Sequence, residues 1–107
     1  MTERQQKITE SLIHHVGDYI AREANRDALI TPTSASISPD LKKATIYISV
    51  YPENREQQAL AFLKRHERDV RGFLKSRVNF KVLPFVTFML DTGEKNRQRI
   101  DDLLKNE

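Results

Sequence analysis

The chain has 107 residues, enough for one domain built around one modest core. Lys and Arg total 18 against 15 Asp and Glu, a formal charge of +3 with neutral His, and cysteine is absent. Disulfides, thiolate metal centres and a cysteine nucleophile are thereby excluded. Hydrophobic residues make up 38% and charged residues 31%, which suits a folded chain with a charged surface rather than a disordered tail. No apolar run approaches the length that crosses a bilayer. The opening MTERQQK is charged with no apolar stretch behind it, unlike a secretory signal. A cytoplasmic protein without a membrane partner is expected.

The first helix is predicted over about residues 3–24. Thr2 followed by Gln5 fits a capping box, in which the hydroxyl takes the amide at the third helical position and the Gln side chain reaches back. Ile8, Leu12, Val16, Tyr19 and Ile20 recur at helical spacing and make one apolar stripe. Gly17 within it costs about 1 kcal/mol against Ala and leaves room for a neighbour to approach closely. From Leu29 a strand begins that carries Pro32. Proline cannot donate to a ladder, so this strand is an edge or starts after it. Leu29, Thr31, Thr33, Ala35 and Ile37 are expected on one face. Ser38-Pro39-Asp40 is turn chemistry. Residues 44–50 then alternate cleanly with Ile46, Ile48 and Val50 inward, and the two strands form an antiparallel hairpin.

Pro52 ends the second strand, and Asn54 is placed to cap a helical stretch with Gln57 three positions on. Helical periodicity runs from about 55 to 77 through Ala59, Leu63, Val70, Phe73 and Leu74, as one long helix or two joined at a kink. Phe85 to Leu90 is a third strand, apolar on both faces and therefore expected at the centre of the sheet. Asp91-Thr92-Gly93 is a turn, and a short C-terminal helix carries Ile100, Leu103 and Leu104. Helices on one face of a small sheet make a two-layer α+β domain.

The charge is unevenly spread. Residues 64–81 hold Lys64, Arg65, Arg68, Arg71, Lys75, Arg77 and Lys81 against Glu67 and Asp69, a net +5. The other residues carry 11 basic and 13 acidic groups, a net −2. On a continuous helix Lys64, Arg68, Arg71 and Lys75 fall within about 60° of arc, opposite Leu63, Val70, Phe73 and Leu74. A stripe of long cations on an exposed helix face is the footprint of a phosphate-backbone partner. Lys42 and Lys43 in the hairpin loop, with Arg4 and Lys7 in the first helix, form a second rank. Tyr47 and Tyr51 share the strand face opposite Ile46, and little aromatic stacking is expected from them.

Catalytic chemistry finds no foothold. His14 and His15 are adjacent, so they lie on different helix faces, and no third ligand is placed to help; no metal site is expected. His66 projects onto the apolar side of its helix as a half-buried imidazole at the helix–sheet junction. Three scattered glycines exclude a P-loop or a dinucleotide fingerprint. No cofactor, small-molecule substrate or enzymatic activity is indicated.

Two stretches carry a family likeness. Ile37-Ser38-Pro39-Asp40-Leu41-Lys42-Lys43-Ala44-Thr45-Ile46-Tyr47-Ile48-Ser49 resembles the "s-x-D-L-x-x-A-x-V-y-v-S" hairpin of bacterial ribosome-binding factor A. Arg71, the run Lys81-Val82-Leu83-Pro84-Phe85-Val86-Thr87-Phe88 and Asp91 resemble its "R…L-R-x-x-P-x-L-x-F-x-x-D" segment, and Arg99-Ile100-Asp101-Asp102-Leu103-Leu104 its "R-I-x-x-L-L" close. The resemblance covers nearly the whole chain. It implies a type-II KH-like fold, α-β-β-α-α-β, and a single RNA-binding domain over residues 1–107. It further implies an assembly factor that binds the immature 30S subunit, assists its maturation and aids processing of the small-subunit rRNA. The family's Ala-x-Gly kink between the two central helices falls here on His66-Glu67-Arg68, which has neither residue.

The expectation is a non-enzymatic, monomeric RNA-binding protein whose partners are small-subunit rRNA and free 30S subunits. Its phosphate contacts are expected at Lys64, Arg65, Arg68, Arg71, Lys75, Arg77 and Lys81, then at Lys42, Lys43, Arg4 and Lys7. The alternative is a small protein–protein module whose cationic helix docks on an acidic partner.

Overall fold

The computed structural model describes residues 2–24 and 27–93. The elements in chain order are α1 (Glu3–Glu23), β1 (Leu29–Ile37), β2 (Lys43–Tyr51), α2 (Glu56–Arg65), α3 (Glu67–Arg77) and β3 (Phe85–Leu90). One 3-10 turn, Glu53–Arg55, precedes α2. The expected C-terminal helix lies outside the described residues.

The capping box at Thr2 forms as its sequence predicts. The Gln5 amide donates to Thr2 Oγ1 at 3.1 Å, and the Thr2 amide donates to Gln5 Oε1 at 2.8 Å. Two of the orphan donors of the first turn are thereby satisfied. The start of α2 differs from expectation. Asn54 lies inside the 3-10 turn, Arg55 occupies the cap position, and no side chain caps the helix. The Arg55 amide instead donates to Pro52 O at 3.0 Å.

The sheet has the order β1-β2-β3, with β1 antiparallel and β3 parallel to β2. β2 is therefore central and β3 an edge, the reverse of the placement that its two apolar faces suggested. Alternation explains the difference. Val86 and Phe88 point into the core, whereas Phe85 and Met89 stand on the opposite face and are exposed. The described helices pack on one face, and among the described residues Phe85 and Met89 of the other face are exposed.

β1 also departs from its simple alternation. The register shifts between Pro32 and Ser34, leaving Thr33 as an extra residue. A bulge inverts the phase of a strand. Ile30 and Pro32 therefore face the helices before it and Ala35 and Ile37 after it, opposite Val50, Ile48, Ile46 and Ala44 respectively. Pro32 sits in an edge strand beside the bulge, where proline is tolerated.

The core lies between the sheet and the helices. Leu12 and Val16 of α1, Ile46 and Ile48 of β2, Leu63 of α2, Val70 and Leu74 of α3 and Phe88 of β3 are wholly excluded from solvent. α1 covers β1, while α2 and α3 cover β2 and β3. Tyr19 of α1 meets Phe73 of α3 edge to face at 5.5 Å, which ties the two helical halves together.

Gly17 does not serve a close approach. A Cβ placed there would meet Pro32 Cγ at 3.8 Å, an ordinary van der Waals distance. Gly17→Ala should therefore raise the unfolding free energy by about 0.5–1 kcal/mol, read by urea denaturation. A loss would show that the helix–strand spacing depends on the glycine.

Candidate nucleic-acid interface

The helical run from 55 to 77 is interrupted at a single residue. His66 has φ −104° and ψ 11°, outside the helical range yet open to any L-residue. Its amide hydrogen-bonds Phe62 O and Leu63 O at 3.1 and 3.0 Å, closing α2. Its carbonyl accepts from Val70 N at 2.8 Å, opening α3. The imidazole turns back on α2: Nδ1 lies 2.7 Å from Phe62 O, and the ring stacks on Phe62 with centroids 4.1 Å apart. A carbonyl only accepts, so Nδ1 carries the proton in this arrangement. The break thus falls where the family pattern would place its kink, and a side chain holds it instead of glycine.

The break lets α3 begin against β3. Glu67 Oε2 accepts from Thr87 Oγ1 at 2.8 Å and from Phe88 N at 3.3 Å. Phe85 N and Asp91 N donate inward to β2 carbonyls or the hairpin loop. By the two-residue alternation of a strand, Phe88 N faces the outer side. Glu67 therefore satisfies an edge donor that would otherwise be open for pairing.

One turn later, Arg71 holds the approach to β3. Its Nη2 donates to Leu83 O at 3.2 Å, and its guanidinium lies over the Phe85 ring, 4.5 Å from the centroid. Nε is buried without a hydrogen-bond partner among the described residues. Arg71 is half-buried, and one of its donors and its guanidinium face serve the fold.

The hairpin loop is fixed by its own polar groups. Asp40 Oδ1 accepts from Ser38 Oγ at 2.6 Å and from Lys42 N at 3.1 Å, and Ser38 Oγ accepts from Lys43 N at 3.0 Å. Leu41 takes a left-handed conformation, φ 64°. Lys42 O accepts from Phe85 N at 2.8 Å, joining the loop to the start of β3. The Ser38 hydroxyl, and after it the Lys42 amide, hold the Asp40 carboxyl below its ordinary 3.8.

These elements sort the cations into three regions. Lys43, Arg68 and Arg71 line a groove of about 780 Å³ with Thr45, Phe85 and Thr87. Arg4, Lys7 and Lys81 line a hollow of about 480 Å³ with Leu41, Phe80 and Val82. Leu41, Lys81 and Val82 line the hollow while Lys43 and Phe85 line the groove, so the hairpin loop and the segment before β3 connect the two into one basic tract. Arg65 lies elsewhere, beside Arg55, Asp27 and Gln58 in a hollow of about 380 Å³. Lys64 lies on α2 and Arg68, Arg71 and Lys75 on α3, so the stripe expected from residues 64–75 spans two helices divided at His66. Arg77 is engaged internally, 3.9 Å from Asp18 and 4.6 Å from the Phe73 centroid. Lys64 and Lys75 are exposed on their helices.

Two features escaped the sequence reading. Phe85 is a 65% exposed ring at the groove, visible beforehand only as an apolar residue in a strand. The His14 pair does have a third neighbour: ligand atoms of His14, His15 and Asp18 lie within 4.8 Å of one another. Asp18 is four residues from His14 and three from His15, so it faces both. Its carboxylate also faces Arg77, which opposes a cation there.

Comparison with known proteins gives a consistent result. The family model for ribosome-binding factor A matches residues 4–104. The chain is 33% identical over 109 residues to ribosome-binding factor A of Bradyrhizobium sp. (strain ORS 278), covering 97% of this chain and 79% of that protein. It is 33% identical to that of Chelativorans sp. (strain BNC1), covering 98% and 83%. The crystal structure of ribosome-binding factor A from Thermus thermophilus superposes with a TM-score of 0.72 at 24% identity, over 80% of this chain and 94% of that one. A Thermus thermophilus ribosome-binding factor A fitted into a cryo-electron-microscopy map of a 30S complex is similar at 26% identity, with a TM-score of 0.67 over 76% and 88%.

Glu67→Ala should cost about 1–2 kcal/mol and speed exchange of the Phe88 amide, while Glu67→Gln, which keeps an acceptor, should cost less. Equal, negligible effects would show that the carboxylate does not hold the edge. The Asp40 turn should be pH-dependent. Its folded value is depressed, so its contribution is complete above the ordinary 3.8 and is lost as pH falls through the lower folded value. Amide exchange at Lys42 and Lys43 should show that loosening on acidification, and Ser38→Ala, which removes the larger cause, should weaken the pH dependence; an unchanged dependence would contradict it.

Proposed function

The chain belongs to the ribosome-binding factor A family, and from that membership we propose that it is a non-enzymatic, cytoplasmic assembly factor. It binds the immature 30S subunit through the small-subunit rRNA and assists that subunit's maturation and rRNA processing, as one RNA-binding domain over residues 1–107. The observation that supports this most is the match of residues 4–104 to the family, joined to a basic tract at one end of the fold. A family relative has been fitted into a map of a 30S complex. The tract carries Lys43, Arg68, Arg4, Lys7 and Lys81 on separate segments of the chain, so the folded domain and not one helix presents the charge. Helical RNA is recognised chiefly through shape and backbone, which suits long cations on rigid supports.

Lys43 and Arg68 are both exposed, so reversing them should leave the fold intact. Lys43→Glu with Arg68→Glu should lower recovery of the protein with free small subunits by about tenfold or more in sedimentation. It should also flatten the salt dependence, by roughly 0.7–0.9 log units per log unit of salt for each phosphate contact removed. Wild-type recovery that ignores salt, or a double variant that binds normally, would overturn the assignment and favour a protein-docking module.

A further inference from the structure

Phe85 opens β3 on the sheet face that no described helix covers. A single exposed apolar residue is ordinary on a protein surface. This one is set apart by how it is held and by what surrounds it. The Arg71 guanidinium lies over one face of the ring at 4.5 Å and is itself anchored on Leu83 O. The backbone is pinned by the bond from Phe85 N to Lys42 O. The ring is therefore oriented in advance, with one face on a cation and 65% of the residue in solvent. It forms one wall of the groove of about 780 Å³, where Lys43 and Arg68 supply the positive charge. The acid of that groove, Glu67, spends Oε2 on Thr87 and Phe88.

We propose that this groove holds one unpaired nucleotide of single-stranded RNA, its base stacked on Phe85 and its phosphate between Lys43 and Arg68. The choice of RNA rests on the function proposed above; the unpaired state does not. A base inside a duplex has both faces covered by its neighbours, so it offers nothing to an aromatic ring. An unpaired base does, and such stacking tolerates any base because each has a π-face. The cations argue for a nucleotide over an apolar peptide, since a peptide docking beside Lys43 and Arg68 would bury charge without a counter-ion. The slot also gives Arg68 and Lys43 a reason to converge beside an aromatic ring rather than on a plain helix face.

The test uses the absence of tryptophan from the chain. Phe85→Trp places a single indole in the slot. Short single-stranded oligoadenylate should quench its fluorescence saturably, and an RNA duplex at equal phosphate concentration should not. Phe85→Leu keeps bulk without a π-face, and it should bind the oligoadenylate roughly 5- to 100-fold more weakly. Phe85→Tyr should bind as the wild type does. Equal quenching by duplex and single strand, or an unchanged affinity in Phe85→Leu, would overturn the slot. Wild-type sedimentation with small subunits, run alongside, reads the assembly-factor assignment separately. Its loss would remove the ribosomal partner while leaving a positive quenching result as a nucleotide site.

Discussion

The arrangement of this surface depends on one interruption of a helix. An unbroken helix from 56 to 77 would carry its second half along one straight axis. At His66 the hydrogen-bond ladder is instead closed and restarted. The imidazole of His66 adds a second contact to Phe62 O beside the bond from the His66 amide, and Glu67, which begins α3, accepts from the outward amide of Phe88 on β3. The break is thus matched to the sheet: the same carboxylate that begins α3 closes the outer side of β3. Glycine is one way to build a kink, because it relaxes sterics. Here the backbone angles need no glycine, and a histidine folded back on its own helix does the holding.

From that point the interface follows by short steps. α3 starts against β3, so Arg68, exposed, and Arg71, half-buried, line the groove at the sheet margin. Arg71 fixes Leu83 and Phe85, and Phe85 fixes the hairpin loop through Lys42. The loop is rigid in its own right through Ser38 and Asp40. Lys42, Lys43, Arg68 and Lys81 are therefore presented by segments that brace one another. Cations on such supports lose less freedom on meeting a phosphate than cations on a free loop. Arg71 and Arg77 show the other use of the same residue type: their guanidinium groups lie over Phe85 and Phe73 and hold the fold.

Much of the fold was legible in the sequence, for identifiable reasons. The Thr2–Gln5 box and the alternation of Ile46, Ile48 and Val50 are local patterns with one structural meaning, and both formed. The order α-β-β-α-α-β, resting on periodicity and on the family likeness, is also the order observed. What was not legible depends on contacts distant in sequence. The bulge at Thr33 inverts the inward face of β1, and no local signal marks it. The apolar residues on both faces of β3 suggest a central strand, because sequence does not say that no described helix packs on the Phe85 and Met89 face. The basic stripe assumes one helical phase, and the break at His66 divides its residues between α2 and α3. Phe85 gains its meaning from Arg71 and Lys43, which are far from it in the chain or on another strand. Asp18 meets both His14 and His15 because it stands one turn on from each, a relation that the spacing of the two histidines alone does not show.

The central claim is that the basic tract around the break at His66 meets the rRNA of the small subunit. Ultraviolet cross-linking of the protein bound to free small subunits, followed by mass spectrometry of the RNA-linked peptides, tests it most directly. The account predicts adducts on peptides containing Lys43, Arg68 and Phe85. Adducts confined to the α1 surface near Ala21 and Arg22, or cross-links to ribosomal proteins alone, would contradict it.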